Sequence, residues 1–214
     1  MNVGSQPSVR LPHERAACGV GFVASLRGEH SHGILETALG ALRRVEHRGA
    51  LAADGITSDG AGVMTDIPFG LYGYEPGSVA VATLFLTADA HRRARALAAF
   101  EQTFEFLGIH LLGYREVPVN PSVLGPLARE GMPHILQAIL RRPLPCRTDA
   151  SFNARLYAAK QLTRTKLKAA DAWMDLFFIS LSTTTVVYKA LCRSGDLDKF
   201  YPDLANPRFK TRFV

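Results

Sequence analysis

The sequence predicts a mixed α/β domain, on three observations. Residues 79–86 (Val-Ala-Val-Ala-Thr-Leu-Phe-Leu) form a continuous apolar run of strand length, the pattern of a strand covered on both faces. Residues 31–45 carry Ile34, Leu35, Ala38, Leu39, Leu42 and Val45 at helical spacing, which makes one apolar stripe. Residues 184–187 are β-branched throughout and follow a second apolar run at 176–181, so both read as strands. At 214 residues with 47% hydrophobic and 21% charged content, the chain can bury one substantial core.

The first stretch with chemical potential is Ala17-Cys18-Gly19-Val20-Gly21-Phe22, continued by Val23-Ala24-Ser25-Leu26. Val20, Phe22 and Ala24 alternate onto one face, which predicts a buried strand with Cys18 at its mouth. Gly19 and Gly21 leave the backbone open to a second strand or a small polar ligand. By itself the stretch favours a packed cysteine beside an ordinary glycine bulge. Residues 1–17 hold basic residues and prolines but no apolar core, so they read as a short leader and not as a secretory signal.

The helix at 31–45 takes Ser31 as its N-cap, and Arg43, Arg44 and His47 suit the negative end of its dipole. His47-Arg48-Gly49 has two readings: a helix stop, or a turn that brings Arg48 back toward Cys18. Asp59-Gly60-Ala61-Gly62 then opens a strand at 63–67. Asp59 is read as part of a turn beside the cysteine strand and not as a catalyst, and the small residues allow close approach. Asp89 caps a helix whose expected face is Ala94, Leu97, Ala98, Glu101, Phe104 and Leu107, with Gly108 as its stop. Strands follow at 109–117 and 133–140, with a proline-rich loop at 141–145. A long helix at 151–168 buries Phe152, Leu156, Ala159 and Leu167 and shows Arg155, Lys160, Arg164 and Lys166 outward. The runs at 176–181 and 184–187 are close enough to form a hairpin. The aromatic segment 197–204 is expected to cover an edge of the core.

Composition narrows the function classes. The net charge of +6 raises nucleic acid as a partner, but the arginines are scattered as Arg43-Arg44, Arg92-Arg93 and Arg141-Arg142 without interleaved aromatics, so the charge reads as a solvated surface. Cys18, Cys146 and Cys192 are an odd, widely spaced set. They make neither a disulfide framework nor a zinc site, and a reducing cytoplasm is the expected compartment. No apolar run is long enough to span a bilayer.

The order of motifs carries a resemblance. The cysteine strand, the helix, Glu46-His47-Arg48-Gly49-Ala50, Ala53-Asp54-Gly55 and Ser58-Asp59-Gly60-Ala61-Gly62-Val63 follow one another as in the glutaminase domain of glutamate synthases, a class II glutamine amidotransferase of the N-terminal-nucleophile hydrolase type. Further similar segments are Tyr114-Arg115-Glu116-Val117-Pro118-Val119, Pro121-Ser122-Val123-Leu124-Gly125, Ser180-Leu181-Ser182, Val187-Tyr188-Lys189 and Phe200-Tyr201-Pro202-Asp203-Leu204. The resemblance runs from about residue 17 to residue 214.

It implies a four-layer αββα sandwich, incomplete at the C-terminus, with residues 1–17 as a propeptide and 18–214 as the N-terminal portion of the domain. It implies Cys18 as nucleophile, its own freed α-amino group as base, and Arg48, Gly49, Asp59 and Gly60 in the neighbourhood of bound glutamine. The family's carboxylate-binding arginine motif and Asn-Gly oxyanion motif follow the Tyr-Pro-Asp-Leu segment, and neither occurs within these 214 residues. The isolated chain is therefore expected to be a weak glutaminase. The remaining synthase regions, or a complementary chain, are its expected partners. FMN and an iron–sulfur cluster are expected only in those regions, with no cofactor or metal in this segment. The alternatives are a catalytically silent remnant or interaction module on the same fold, and another acyl-transfer enzyme with an N-terminal nucleophile.

Overall fold

The computed structural model describes residues 19–52 and 54–214. Its chain order is α1 (His32–Arg44), β1 (Ala61–Asp66), α2 (Phe69–Tyr72), β2 (Val79–Leu86), α3 (Ala90–Phe106), β3 (Leu111–Glu116), α4 (Pro126–Glu130), β4 (His134–Arg141), α5 (Asp149–Ala169), β5 (Leu176–Ser182), β6 (Thr185–Ala190) and α6 (Leu197–Phe200). The apolar run at 79–86 is the spine. β2 lies between β4 and β5 in a four-stranded antiparallel sheet of order β3-β4-β2-β5, while β1 and β6 form a separate antiparallel pair.

The two faces of β2 explain why it is hydrophobic at every position but Thr83. Ala80, Ala82, Leu84 and Leu86 meet Phe100 and Phe104 of α3 and Phe152, Leu156 and Leu167 of α5. Val79 and Val81 face the other way, into a core shared with Val63 of β1, Val186 and Tyr188 of β6, and Leu35 and Leu39 of α1. The order is thus helix pair, large sheet, small sheet, with α1 tied to the core between the sheets. This is a mixed α/β architecture consistent with the sandwich the resemblance implies.

Local signals predict most elements well. The Ser31 hydroxyl accepts from the Ile34 amide at 3.3 Å, and Asp89 accepts from the Arg92 amide at 2.9 Å. Thr148 and Ser151 form a capping box that starts α5 two residues before the expected boundary. All four expected core residues of α5 are buried, with Thr163 added.

Four expectations are corrected. The stretch 20–26 is not a buried strand: Val20 is 95% and Phe22 86% exposed, and Ala24 makes an isolated bridge to Phe213. Its backbone pairs Val23 with Val214 and Ser25 with Arg212, so alternation there has only a short partner to pack against. The runs at 176–181 and 184–187 are not a hairpin, because β5 pairs with β2 and β6 with β1. Asn153 holds the crossing by bonds to the Thr183 amide and hydroxyl, and the Ser182 hydroxyl accepts from the Thr184 and Thr185 amides. The buried face of α3 is Ala96, Phe100, Thr103 and Phe104, leaving Ala94, Ala98 and Glu101 exposed. The two phenylalanines, 4.1 Å apart between ring centroids, outweigh the alanines in setting the helix rotation. Residues 197–204 do not cover an edge: Leu197, Phe200, Tyr201 and Leu204 lie inside the core between the sheets.

The segment 211–214 is clamped to β1 by Asp66, whose side chain is 6% exposed. Its carboxylate accepts from the Arg212 amide at 2.7 Å and from the Arg212 guanidinium at 2.6 Å, with the Thr211 hydroxyl at 3.2 Å. Burial pushes the Asp66 carboxyl up, but the bonds from Arg212 outweigh it and hold it below its usual value. A depressed carboxyl stabilises above its unfolded pKa of about 3.9 and loses that contribution as the pH falls through the folded value. Acidification through that depressed value should weaken this clamp, read as faster amide exchange at Val23, Ser25 and Val214. Equal protection of these amides on the two sides of the Asp66 titration would contradict it.

Candidate active site

A cleft of ≈ 710 Å³ opens beside the small sheet. Its walls are Gly19 and Val20, the end of α1 with Val45 and Glu46, the turn Ser58-Asp59-Gly60, and Lys189 to Leu191 at the end of β6. Three of the expected site residues meet here. Gly49 follows the 3-10 turn Glu46–Arg48, and a Cβ placed on it would lie 3.1 Å from Asp59 Oδ1. The Asp59 amide donates to the Ala50 carbonyl at 3.1 Å, so the two motifs are joined by backbone as well. Gly60 has φ +111°, and its missing Cβ would stand 2.9 Å from the Ala190 carbonyl oxygen. A side chain there would force β6 away from the turn.

Cys18 and the side chain of Arg48 lie outside the described residues. The described neighbour Gly19 lines the cleft. The helix-stop reading of His47 has direct support: its Nδ1 sits 3.1 Å from the Arg44 carbonyl at the end of α1. Asp59 remains a turn residue in the structure, its Oδ1 accepting from the Ser58 hydroxyl at 3.1 Å.

The turn is braced from behind. Asp54 accepts from the Ile56 amide at 2.9 Å and from the Thr57 amide at 2.7 Å, and also bonds the Thr57 hydroxyl. These bonds, the Thr57 hydroxyl foremost, bring its carboxyl down to about 2. Gly125, which precedes α4, packs so closely on this turn that a Cβ would lie 2.7 Å from the Thr57 nitrogen. Gly125→Ala should therefore push the 54–60 turn out of place and destabilise the fold by about 1–3 kcal/mol. An unchanged denaturation midpoint would show that the turn yields freely.

Sequence reading missed Glu46, Ser194 and Lys189 as cleft residues. Glu46 and Lys189 are exposed residues of opposite charge in the cleft lining. It also missed a buried polar network between the sheets. Arg115 donates to Asp203 at 2.6 Å and to Gln137 at 3.0 Å, and the Tyr188 hydroxyl donates to Asp203 at 2.8 Å. The Tyr72 hydroxyl lies 2.9 Å from that of Tyr188, and the Arg115 guanidinium sits 5.0 Å over the Tyr72 ring. Burial keeps both phenols protonated, Tyr72 up at about 12 and Tyr188 well above its ordinary value. Three segments that carry the resemblance, around Arg115, Tyr188 and Asp203, thus converge on one network. A polar Gln137 inside the apolar β4 was the one local signal of it.

Among the described residues, no group of three or more His, Cys, Asp or Glu side chains could hold a metal ion, and no helix is long and apolar enough to cross a membrane. Cys146 and Cys192 are free thiols buried at 4% and 3% exposure; neither lines the cleft, although Cys192 follows Leu191, which does. Burial pushes the Cys192 thiol up to about 12.

Comparison with known proteins gives this chain a family. A model described as class II glutamine amidotransferases matches residues 18–214, so the chain belongs to that family. It is 39% identical over 214 residues to ferredoxin-dependent glutamate synthase 2 of Synechocystis sp., covering 95% of this chain and 13% of that protein. It is 37% identical over 212 residues to the chloroplastic ferredoxin-dependent glutamate synthase 2 of Arabidopsis thaliana, covering 94% and 13%. The glutamate synthase (NADPH) large chain of Bacillus subtilis is 30% identical over 223 residues, covering 98% and 14%. The chain thus spans 13–14% of the length of these relatives.

Proposed function

We propose that this chain is the glutaminase portion of a glutamate synthase, hydrolysing glutamine to glutamate and ammonia. The observation that carries the reading is the meeting of Gly49, Asp59 and Gly60 in one cleft that Gly19 also lines, within a family match that begins at residue 18. Removal of residues 1–17 frees the α-amino group of Cys18. With an ordinary pKa of about 7.7–8.0, that amine is partly neutral near pH 7.5 and takes the thiol proton. The thiolate attacks the side-chain carbonyl carbon of glutamine. The tetrahedral intermediate collapses, the amine returns a proton to the leaving nitrogen, and ammonia departs from a thioester. Water, deprotonated by the same amine, then attacks the thioester, releasing glutamate and restoring the thiol.

In this reading Arg48 belongs to the substrate neighbourhood, while Gly49 and Gly60 admit the ligand close to the backbone. Ammonia passes to 2-oxoglutarate in the synthase regions, which would also hold FMN and the iron–sulfur cluster. The free thiols Cys146 and Cys192 are compatible with a reducing compartment, such as the cytoplasm.

The test is ammonia release from glutamine by a version extended through the family's arginine and Asn-Gly motifs, combined with N-terminal sequencing. The active species should begin at Cys18. Full activity in a protein that keeps Met1 to Ala17 would refute the α-amino base. An extended, processed protein that binds glutamine without hydrolysing it would mark the chain as a silent member of the family.

A further inference from the structure

We propose that Tyr201 and Asp203 are positioning residues for the cleft, because they grip β6 from behind at the residues whose front builds the cleft wall. The Tyr201 hydroxyl donates to the Lys189 carbonyl at 2.8 Å. Asp203 holds the neighbouring residue by accepting from the Tyr188 hydroxyl at 2.8 Å. The Tyr188 and Tyr201 rings meet edge to face with centroids 5.1 Å apart, and both residues are almost completely buried. On the opposite side, Lys189 and Ala190 line the cleft, and the Ala190 carbonyl fills the place where a Gly60 Cβ would be, at 2.9 Å.

The mechanical consequence follows from this packing. The Asp59-Gly60 turn rests against the backbone of Ala190 with no side chain between them. A shift of β6 is therefore passed to the turn undiminished, since close-packed contacts transmit displacement. β6 is fixed toward the core by these two side chains, and through Asp203 it is tied to Arg115 on β3 of the other sheet. The Phe200-Tyr201-Pro202-Asp203 segment thus sets the depth and register of the wall facing Gly19, although neither Tyr201 nor Asp203 lines the cleft.

This inference rests on the reading that glutamine is cleaved by Cys18 in this cleft, and the experiment separates the two. Tyr201→Phe, Asp203→Asn and Cys18→Ala are made in the version extended through the arginine and Asn-Gly motifs. Glutamine KM and kcat, the rate of Cys18 alkylation by iodoacetamide, and the melting temperature are measured for each. Small displacements of a binding wall weaken substrate engagement strongly. Tyr201→Phe, which keeps the ring, should raise KM by about tenfold with kcat within about threefold of the parent. Its iodoacetamide rate should stay at the parental value, because that small electrophile does not use the wall. Asp203→Asn should act in the same direction. A lowered melting temperature with unchanged KM in Tyr201→Phe would overturn the inference, leaving a purely structural hydroxyl. Undiminished hydrolysis by Cys18→Ala would instead overturn the reading of Cys18 as the nucleophile.

Discussion

In the version extended through the arginine and Asn-Gly motifs, Cys18→Ala should lower glutamine hydrolysis by on the order of 10⁴-fold or more, the scale seen when a covalent nucleophile is removed. Cys146→Ser and Cys192→Ser should leave turnover within about threefold of the parent wherever they fold. The contrast follows from the burial of Cys146 and Cys192 and from thiol ionisation. Only the thiolate attacks, and an ordinary thiol with pKa near 8.5 needs an activating group. Cys192 is buried and shifted up to about 12, so its thiolate is scarce at neutral pH. Cys146 is buried on the far side of the large sheet, among the side chains of α3 and α5, with its sulfur 3.8 Å from the Ser151 carbonyl. Cys18 precedes Gly19 of the cleft lining and Cys192 follows Leu191 of the same lining, so burial and ionisation, not adjacency, set Cys192 aside. An electrophilic glutamine analogue should label Cys18 and spare the other two, as peptide mapping would show. Labelling of Cys146 or Cys192 in preference would move the nucleophile elsewhere.

The parts of this fold that the sequence discloses are those decided within a dozen residues. β2 is apolar at all positions but Thr83 because helices cover one face and the small sheet the other, and that pattern is visible without any partner. The caps at Ser31 and Asp89 are equally local. What escapes is decided by partners far along the chain. β5 and β6 are separated by a two-residue turn, yet they pair with β2 and β1, which periodicity cannot express. Val20 and Phe22 alternate correctly for a buried strand but find no cover among the described residues. Gly49, Asp59 and Gly60, which the resemblance implied, lie in short motifs that the structure brings to one cleft. Lys189 and Ser194 reach the cleft from the far end of the chain and have no distinguishing local context. The polar network is the extreme case, since Arg115 and Asp203 are 88 residues apart in sequence.

Arg115→Met should destabilise the domain by about 3–5 kcal/mol, the range for breaking a buried ion pair on one side. For a chain of this size that corresponds to a fall in melting temperature of roughly 10 °C. The reason is what the substitution leaves behind. Asp203 has a side chain 5% exposed, and Arg115, at 26%, is its cationic partner. Without the guanidinium, the carboxylate keeps the Tyr188 hydroxyl as its described side-chain donor, and Gln137 loses the bond to its amide oxygen. The Tyr72 ring loses the cation above it as well. The surface pair Lys199–Asp196 offers a control, with side chains 63% and 25% exposed, and Lys199→Ala should leave stability unchanged within error. The decisive comparison is the double variant Arg115→Met/Asp203→Leu. If the loss in the single variant comes from a stranded buried charge, removing that charge should restore most of it, because an apolar replacement of a buried pair is often neutral. If the double variant is less stable than Arg115→Met alone, Asp203 holds β6 mainly through Tyr188, and the ion pair itself contributes little to joining the two sheets.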